Sequence, residues 1–145
     1  MTHPHAAPTP QLNEILGRLG AAYANDVWHW MPDYVRGPMD VIAGAILVQH
    51  TNWVNAERAL EALRDARVLE PRGMLSMAED ELAALIRVCG TPSIKARRLQ
   101  ALARTIEDAG GLEAFIALPL EKMRPRLLAT HGAGAETADA IALYA

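Results

Sequence analysis

The sequence predicts an all-α fold, and three observations carry that expectation. Apolar residues recur at helical spacing, as in Leu12, Ile15, Leu16 and Leu19, which gives a helix one buried face. Capping and breaking residues punctuate the chain at short intervals. No stretch alternates apolar and polar positions with β-branched residues as a half-buried strand would. With 145 residues, 51% hydrophobic and 21% charged, the chain has the size and composition of a domain that can fold without a staple.

The elements follow in order. Residues 1–10, with Pro4, Pro8 and Pro10, read as a terminal tail, and residues 11–26 as an N-terminal helix. An aromatic linker follows, with Trp28, His29, Trp30, Met31 and Pro32. Asp40 is the expected cap of a nearly all-apolar helix through Val48, the central buried element. Thr51 or Asn52 caps a helix from Trp53 to about Ala66. Ser76-Met77-Ala78-Glu79 fits a capping box and predicts a helix over Met77 to Val88, ended by Gly90 and Pro92. Ser93 opens a basic helix to Ala109, with Ile94, Leu99, Leu102, Ala103 and Ile106 inward and Lys95, Arg97, Arg98 and Arg104 outward. Gly110-Gly111 stops it; helices over Leu112 to Ala117 and Leu120 to Ala129 follow, the second with Pro125 placed to bend it. A turn, Thr130 to Gly134, leads to a last helix over Ala135 to Ala145, making about eight helices in all.

Charge and cysteine content narrow the function. The balance of 14 Lys+Arg against 17 Asp+Glu, net −3, excludes a protein that coats nucleic acid indiscriminately. Between Arg87 and Arg126, however, eight basic residues face four acidic ones. Such a segment suits a phosphate-facing surface, and equally an ordinary solvated helix face. One cysteine, Cys89, excludes an internal disulfide or a four-cysteine cluster within these residues. The longest apolar run, Val41 to Val48, is too short to span a bilayer, and Met1 to Pro10 is no signal peptide, so a cytoplasmic protein without membrane contact is expected.

The turn Gly132-Ala133-Gly134 joins two helices in a space that favours positive φ, which accounts for glycine there. It also leaves amides free at the start of the second helix, where an anion such as phosphate fits. Alone this is a weak signal, since many helical hairpins use glycine only to turn.

Three segments together are more specific. Leu127 to Ala145 (LLATHGAGAETADAIALYA) resembles the helix-hairpin-helix of the endonuclease III superfamily of DNA glycosylases, the HhH-GPD proteins. Ala43 to Leu60 (AGAILVQHTNWVNAERAL) resembles that family's first barrel helices with their Gln-x-Thr turn, and Ile86 to Arg104 (IRVCGTPSIKARRLQALAR) its basic Lys-Ala-x-x-Leu helix. They stand in family order over roughly residues 27–145, and within the family the 3-methyladenine branch is most similar. The resemblance implies a six-helix barrel domain over residues 27–145, ending in the hairpin, with the N-terminal helix belonging to an incomplete second lobe.

It also implies roles. Gly132, Gly134 and Ala135 would grip one DNA strand, helped by a monovalent cation on the carbonyls of Leu128, Thr130 and Ala133. Lys95, Arg97 and Arg98 would touch phosphates, and Gln49 would enter the duplex beside an extruded nucleotide. The other reading of Gln49 is a helix-end residue bonded to local backbone. Trp30, Trp53 and Glu136 would line the base pocket, the aromatics stacking on an alkylated, cationic base; the alternative for both tryptophans is ordinary packing. Glu136 stands where bifunctional members carry a Schiff-base lysine, which implies a monofunctional glycosylase that hydrolyses the N-glycosidic bond with water. His50 and His131 read as turn residues.

The family's catalytic aspartate follows the second hairpin helix, past Ala145, as would the cysteines of any [4Fe–4S] cluster; Asp139 does not match its position. The expectation is thus a base-excision-repair glycosylase domain, a monomer acting on duplex DNA in the bacterial nucleoid, whose 145 residues lack the catalytic group. A non-catalytic DNA-binding module or truncated remnant, and a helical protein-interaction domain, are the alternatives.

Overall fold

The computed structural model describes residues 10–23 and 35–145, all of whose regular elements are helical. The chain divides into two compact units, Met1–Pro32 and Asp33–Ala145. In the first unit, helix α1 (Pro10–Tyr23) leaves Leu12, Ile15, Leu16 and Leu19 about half exposed. The linker residues Trp28 and Trp30 lie outside the described residues.

In the second unit, α2 (Pro38–Leu47) starts at Gly37 with Pro38 in its first turn, so Asp40 is not the cap that the sequence suggested. A proline there supplies the φ of a helix start and lacks only an N–H that would go unpaired. Asp40 is instead buried inside the helix, where it accepts the Arg36 amide at 3.0 Å and pairs with Arg64 of α3 (Trp53–Asp65). Asn52 caps α3 as expected, its Oδ1 accepting the Asn55 amide at 2.9 Å.

The next stretch differs from expectation. Pro71–Ser76 forms a short helix, α4, and the Ser76 hydroxyl closes it by donating to the Gly73 carbonyl at 2.9 Å. The expected capping box at Ser76 does not form, and the next helix starts two residues later: α5 (Glu79–Leu85) begins after Ala78, which has no side-chain oxygen to cap it and whose amide donates to Glu81 Oε2 at 3.3 Å. It stops before a single 3-10 turn, Arg87–Cys89. Gly90 then takes φ +69°, and α6 (Pro92–Asp108) follows. At 17 residues α6 is the longest described helix, and it packs against α2, α4, α5, α7 (Leu112–Ile116) and α8 (Leu120–Ala129). The α8 helix continues through Pro125, which forgoes one ladder bond. Helix α9 (Ala135–Tyr144) packs on α2 and α8.

Ile42, Ile46, Leu60, Leu99, Phe115 and Ile141 are among the side chains sealed in the core of this unit. Each contributes about 1.5–3 kcal/mol by leaving water. No helix among the described residues is long and apolar enough to cross a membrane.

Close approach of α4 to the chain before it gives a direct test. A Cβ on Gly73 would fall 2.8 Å from the Val68 Cα, a backbone atom that cannot swing aside. Gly73→Ala is expected to destabilise the unit by about 1–3 kcal/mol, read as a lower urea midpoint at unchanged slope. An unmoved midpoint would refute this packing.

Candidate nucleic-acid interface

The hairpin is built by α8, the turn 130–134 and α9. The α8 helix ends at Thr130, which is buried; its hydroxyl donates to the Arg126 carbonyl at 2.9 Å and lies 2.7 Å from the Thr105 hydroxyl of α6. This pins the last turn of α8 to the central helix. Gly132 then adopts φ +89°, a conformation that costs any other L-residue free energy. The Ala133 amide returns to the Thr130 carbonyl at 3.1 Å, and Ala133 is buried.

Gly134 is different. Its φ of −73° and ψ of 179° suit any residue, and a Cβ built there meets nothing within 4 Å. The two glycines were both expected to serve positive φ; only Gly132 does. Gly134, Ala135 and Glu136 are exposed, and no side chain caps the first turn of α9. The first amides of a helix have no acceptor within it, and they lie at the positive end of the helix dipole.

Gln49, in the turn after α2, reaches this hairpin. Its Nε2 donates to the Gly132 carbonyl at 3.2 Å and to Thr137 Oγ1 at 3.1 Å, while its Oε1 accepts Arg98 Nη1 at 2.5 Å. The side chain expected to reach into a duplex is here turned toward its own protein. Arg98 is likewise engaged internally. Its Cγ and Cδ occupy the space a Cβ at Gly132 would need.

Lys95 requires a correction. Expected on the outer face, it is 1% exposed, whereas Ile94, expected inward, is 45% exposed. The Lys95 ammonium donates to the Leu47 carbonyl at 2.8 Å and the Cys89 carbonyl at 2.6 Å, so it cannot meet a phosphate. Burial holds its pKa below the ordinary lysine value, and burial pushes the Cys89 thiol up. The sequence held the signal: Lys95, Leu99, Leu102 and Ile106 share one helical stripe. Arg97 does face outward, in an ion pair with Glu79 at 2.8 Å.

Among the expected pocket residues, Trp30 lies outside the described residues. Trp53 opens α3 about half exposed, and its ring edge lies 3.9 Å from the point where a Cβ on Gly44 of α2 would stand. Glu136 is exposed in the first turn of α9. Asp139 faces α8, held by Arg124 Nε at 2.6 Å, and this bond lowers its pKa. His50 takes φ +57° in an exposed turn, and His131 is exposed beside Gly132.

For a monovalent cation, the donor set is compatible. The Thr130 carbonyl accepts one amide, and among the described residues no turn or cap amide bonds the Leu128 or Ala133 carbonyl. Neutral carbonyl oxygens are hard ligands suited to such an ion.

An all-α unit that ends in a braced glycine turn with uncapped amides defines a helix-hairpin-helix protein. Residues 43–140 match the HhH-GPD superfamily of base excision DNA repair proteins, and the chain belongs to that superfamily. A relative from Methanocaldococcus jannaschii, provisionally named a DNA repair glycosylase, is 39% identical over 120 residues, covering 81% of this chain and 54% of its own length. The chain thus spans about half the length of that curated relative. The crystal structure of H. pylori 3-methyladenine DNA glycosylase bound to 1,N6-ethenoadenine is similar at a TM-score of 0.71 and 28% identity, over 90% of this chain and 63% of that one.

The buried ammonium predicts a measurable stability effect. Lys95→Met leaves the Leu47 and Cys89 carbonyls without their donor and should lower stability by about 1–3 kcal/mol. Because the folded state lowers the Lys95 pKa, the unfolded chain binds more protons between the folded and ordinary lysine values. Stability from this group therefore rises with pH across that alkaline window. Denaturation titrated over the window should show a shallower rise in Lys95→Met than in the parent; an identical rise would exclude Lys95 as its source.

Proposed function

We propose that this chain forms the DNA-gripping and base-receiving part of a monofunctional DNA glycosylase that removes a damaged, alkylated purine from duplex DNA. The observation that carries this reading is Gly134. It is exposed, its backbone conformation suits any residue, and its missing Cβ would touch nothing in the protein. The fold therefore gives no reason for glycine there, whereas a strand approaching the bare amides of Ala135 and Glu136 does. A phosphate at that helix start gains backbone hydrogen bonds and the field of the dipole. A monovalent cation on the Leu128, Thr130 and Ala133 carbonyls would add positive charge beside the same phosphate.

Trp53, half exposed at the start of α3, supplies a stacking face for an extruded base. The similar H. pylori enzyme holds an ethenoadenine, a modified purine, which supports that class of substrate. Glu136 at the start of α9 offers no amine for a Schiff base, which favours hydrolysis by water.

The test is binding to a short DNA duplex, followed by fluorescence anisotropy, with and without an already extruded base analogue. Gly134→Asp places a carboxylate where the phosphate belongs and should reduce affinity at least about tenfold, while Gly134→Ala, which fits the backbone, keeps the protein folded. Equal affinity of parent and Gly134→Asp would refute the grip. Trp53→Ala should weaken binding to the analogue by about 1–3 kcal/mol more than binding to plain duplex; equal losses would remove Trp53 from the pocket.

A further inference from the structure

Arg98 was expected to touch DNA, yet its position in the fold serves another purpose. The guanidinium carries only donors, so the Gln49 atom it meets, at 2.5 Å, must be the carbonyl Oε1. That fixes the polarity of the Gln49 amide and sends Nε2 to the Gly132 carbonyl and Thr137 Oγ1. The Arg98 stem fills the space over Gly132, so the same side chain that orients Gln49 also presses on the turn. Among the described residues, Arg98 Nε is the one fully buried side-chain N or O atom without a hydrogen-bond partner.

We infer that Arg98 is a positioning residue for DNA binding: through Gln49 and Gly132 it sets the hairpin carbonyl and the first turn of α9 before a strand arrives. Thr137 lies three residues past the Gly134 cap, so the Gln49 bond anchors the turn whose amides receive the phosphate. Arg98 acts on the grip without touching the strand. This inference rests on the DNA-binding reading above.

The salt dependence of duplex binding separates a positioning residue from a phosphate contact. Losing one phosphate contact lowers the slope of log affinity against log salt by about 0.9. Arg98→Met keeps the stem over Gly132 and removes the guanidinium. It is expected to weaken binding about tenfold with the slope unchanged, and to weaken it little further when Gln49 is already alanine. Without DNA, exchange of the Ala133 and Ala138 amides, which are bonded to the Thr130 and Gly134 carbonyls, should quicken in Arg98→Met while the core helices stay protected, a pattern that general destabilisation does not give. Should Arg98→Met fail to fold, Thr137→Val removes the other anchor and is expected to give the same loss at unchanged slope. A slope lowered by about one, or independent losses at Arg98 and Gln49, overturns the inference while leaving the DNA reading intact. Failure of the unaltered chain to bind duplex at any salt concentration overturns both, and there quickened exchange would show only a brace without DNA function.

Discussion

The geometry of this unit depends on one buried ammonium. Lys95 closes two chain ends at once, the last carbonyl of α2 and the last carbonyl of the 3-10 turn. Helix C-termini collect unpaired carbonyls and the negative end of the dipole, so two of them solvate a cation that has no carboxylate partner among the described residues. The cation in turn fixes where α2 stops. Gln49 stands two residues beyond that point, and its bonds to Gly132 and Thr137 carry the same constraint to the hairpin. The charge on α6 therefore organises the site from behind, across three segments far apart in the chain.

How much of this the sequence disclosed depends on the range of the interaction. Local signals worked where chemistry and structure are neighbours: Asn52 caps α3, paired glycines stop α6, and a positive φ occurs at Gly132. They failed where a distant partner decides. Asp40 looks like a cap, but Pro38 starts the helix, and Arg64, 24 residues away, claims the carboxylate. Ser76 looks like the start of a helix and is the end of one, because Pro71 nucleates a turn before it. Lys95 reads as outward by residue type although its spacing places it on the apolar stripe; partners at Leu47 and Cys89 override the preference of lysine for water. The Gln49–Arg98 pair spans 49 positions and left no local trace.

The two hairpin glycines separate demands that sequence alone merges. Gly132 answers to the protein's interior: a positive φ, and an arginine stem where a Cβ would stand. Gly134 answers to neither, since its backbone is ordinary and its surroundings are open. A Gly-x-Gly spacing therefore contains one residue required by folding and one available to a ligand. Only the folded backbone tells them apart.

The same separation changes what the basic segment means. Of its eight cations, Lys95 is buried, Arg98 holds Gln49, and Arg97 and Arg124 pair with Glu79 and Asp139. Exposed ion pairs are weak and can yield to a phosphate, but the buried and braced charges cannot without dismantling the turn. The other four, Arg87, Arg104, Lys122 and Arg126, are exposed, so half of the segment's positive charge still faces solvent. On the proposed reading a strand would meet these side chains together with the uncapped amides at α9, which lie along the helix dipole and are kept in place by the charges that face inward. A net charge of −3 is then no obstacle to the proposed grip, because the exposed part of the basic segment and the backbone dipoles at α9 act at short range while distant charge is screened.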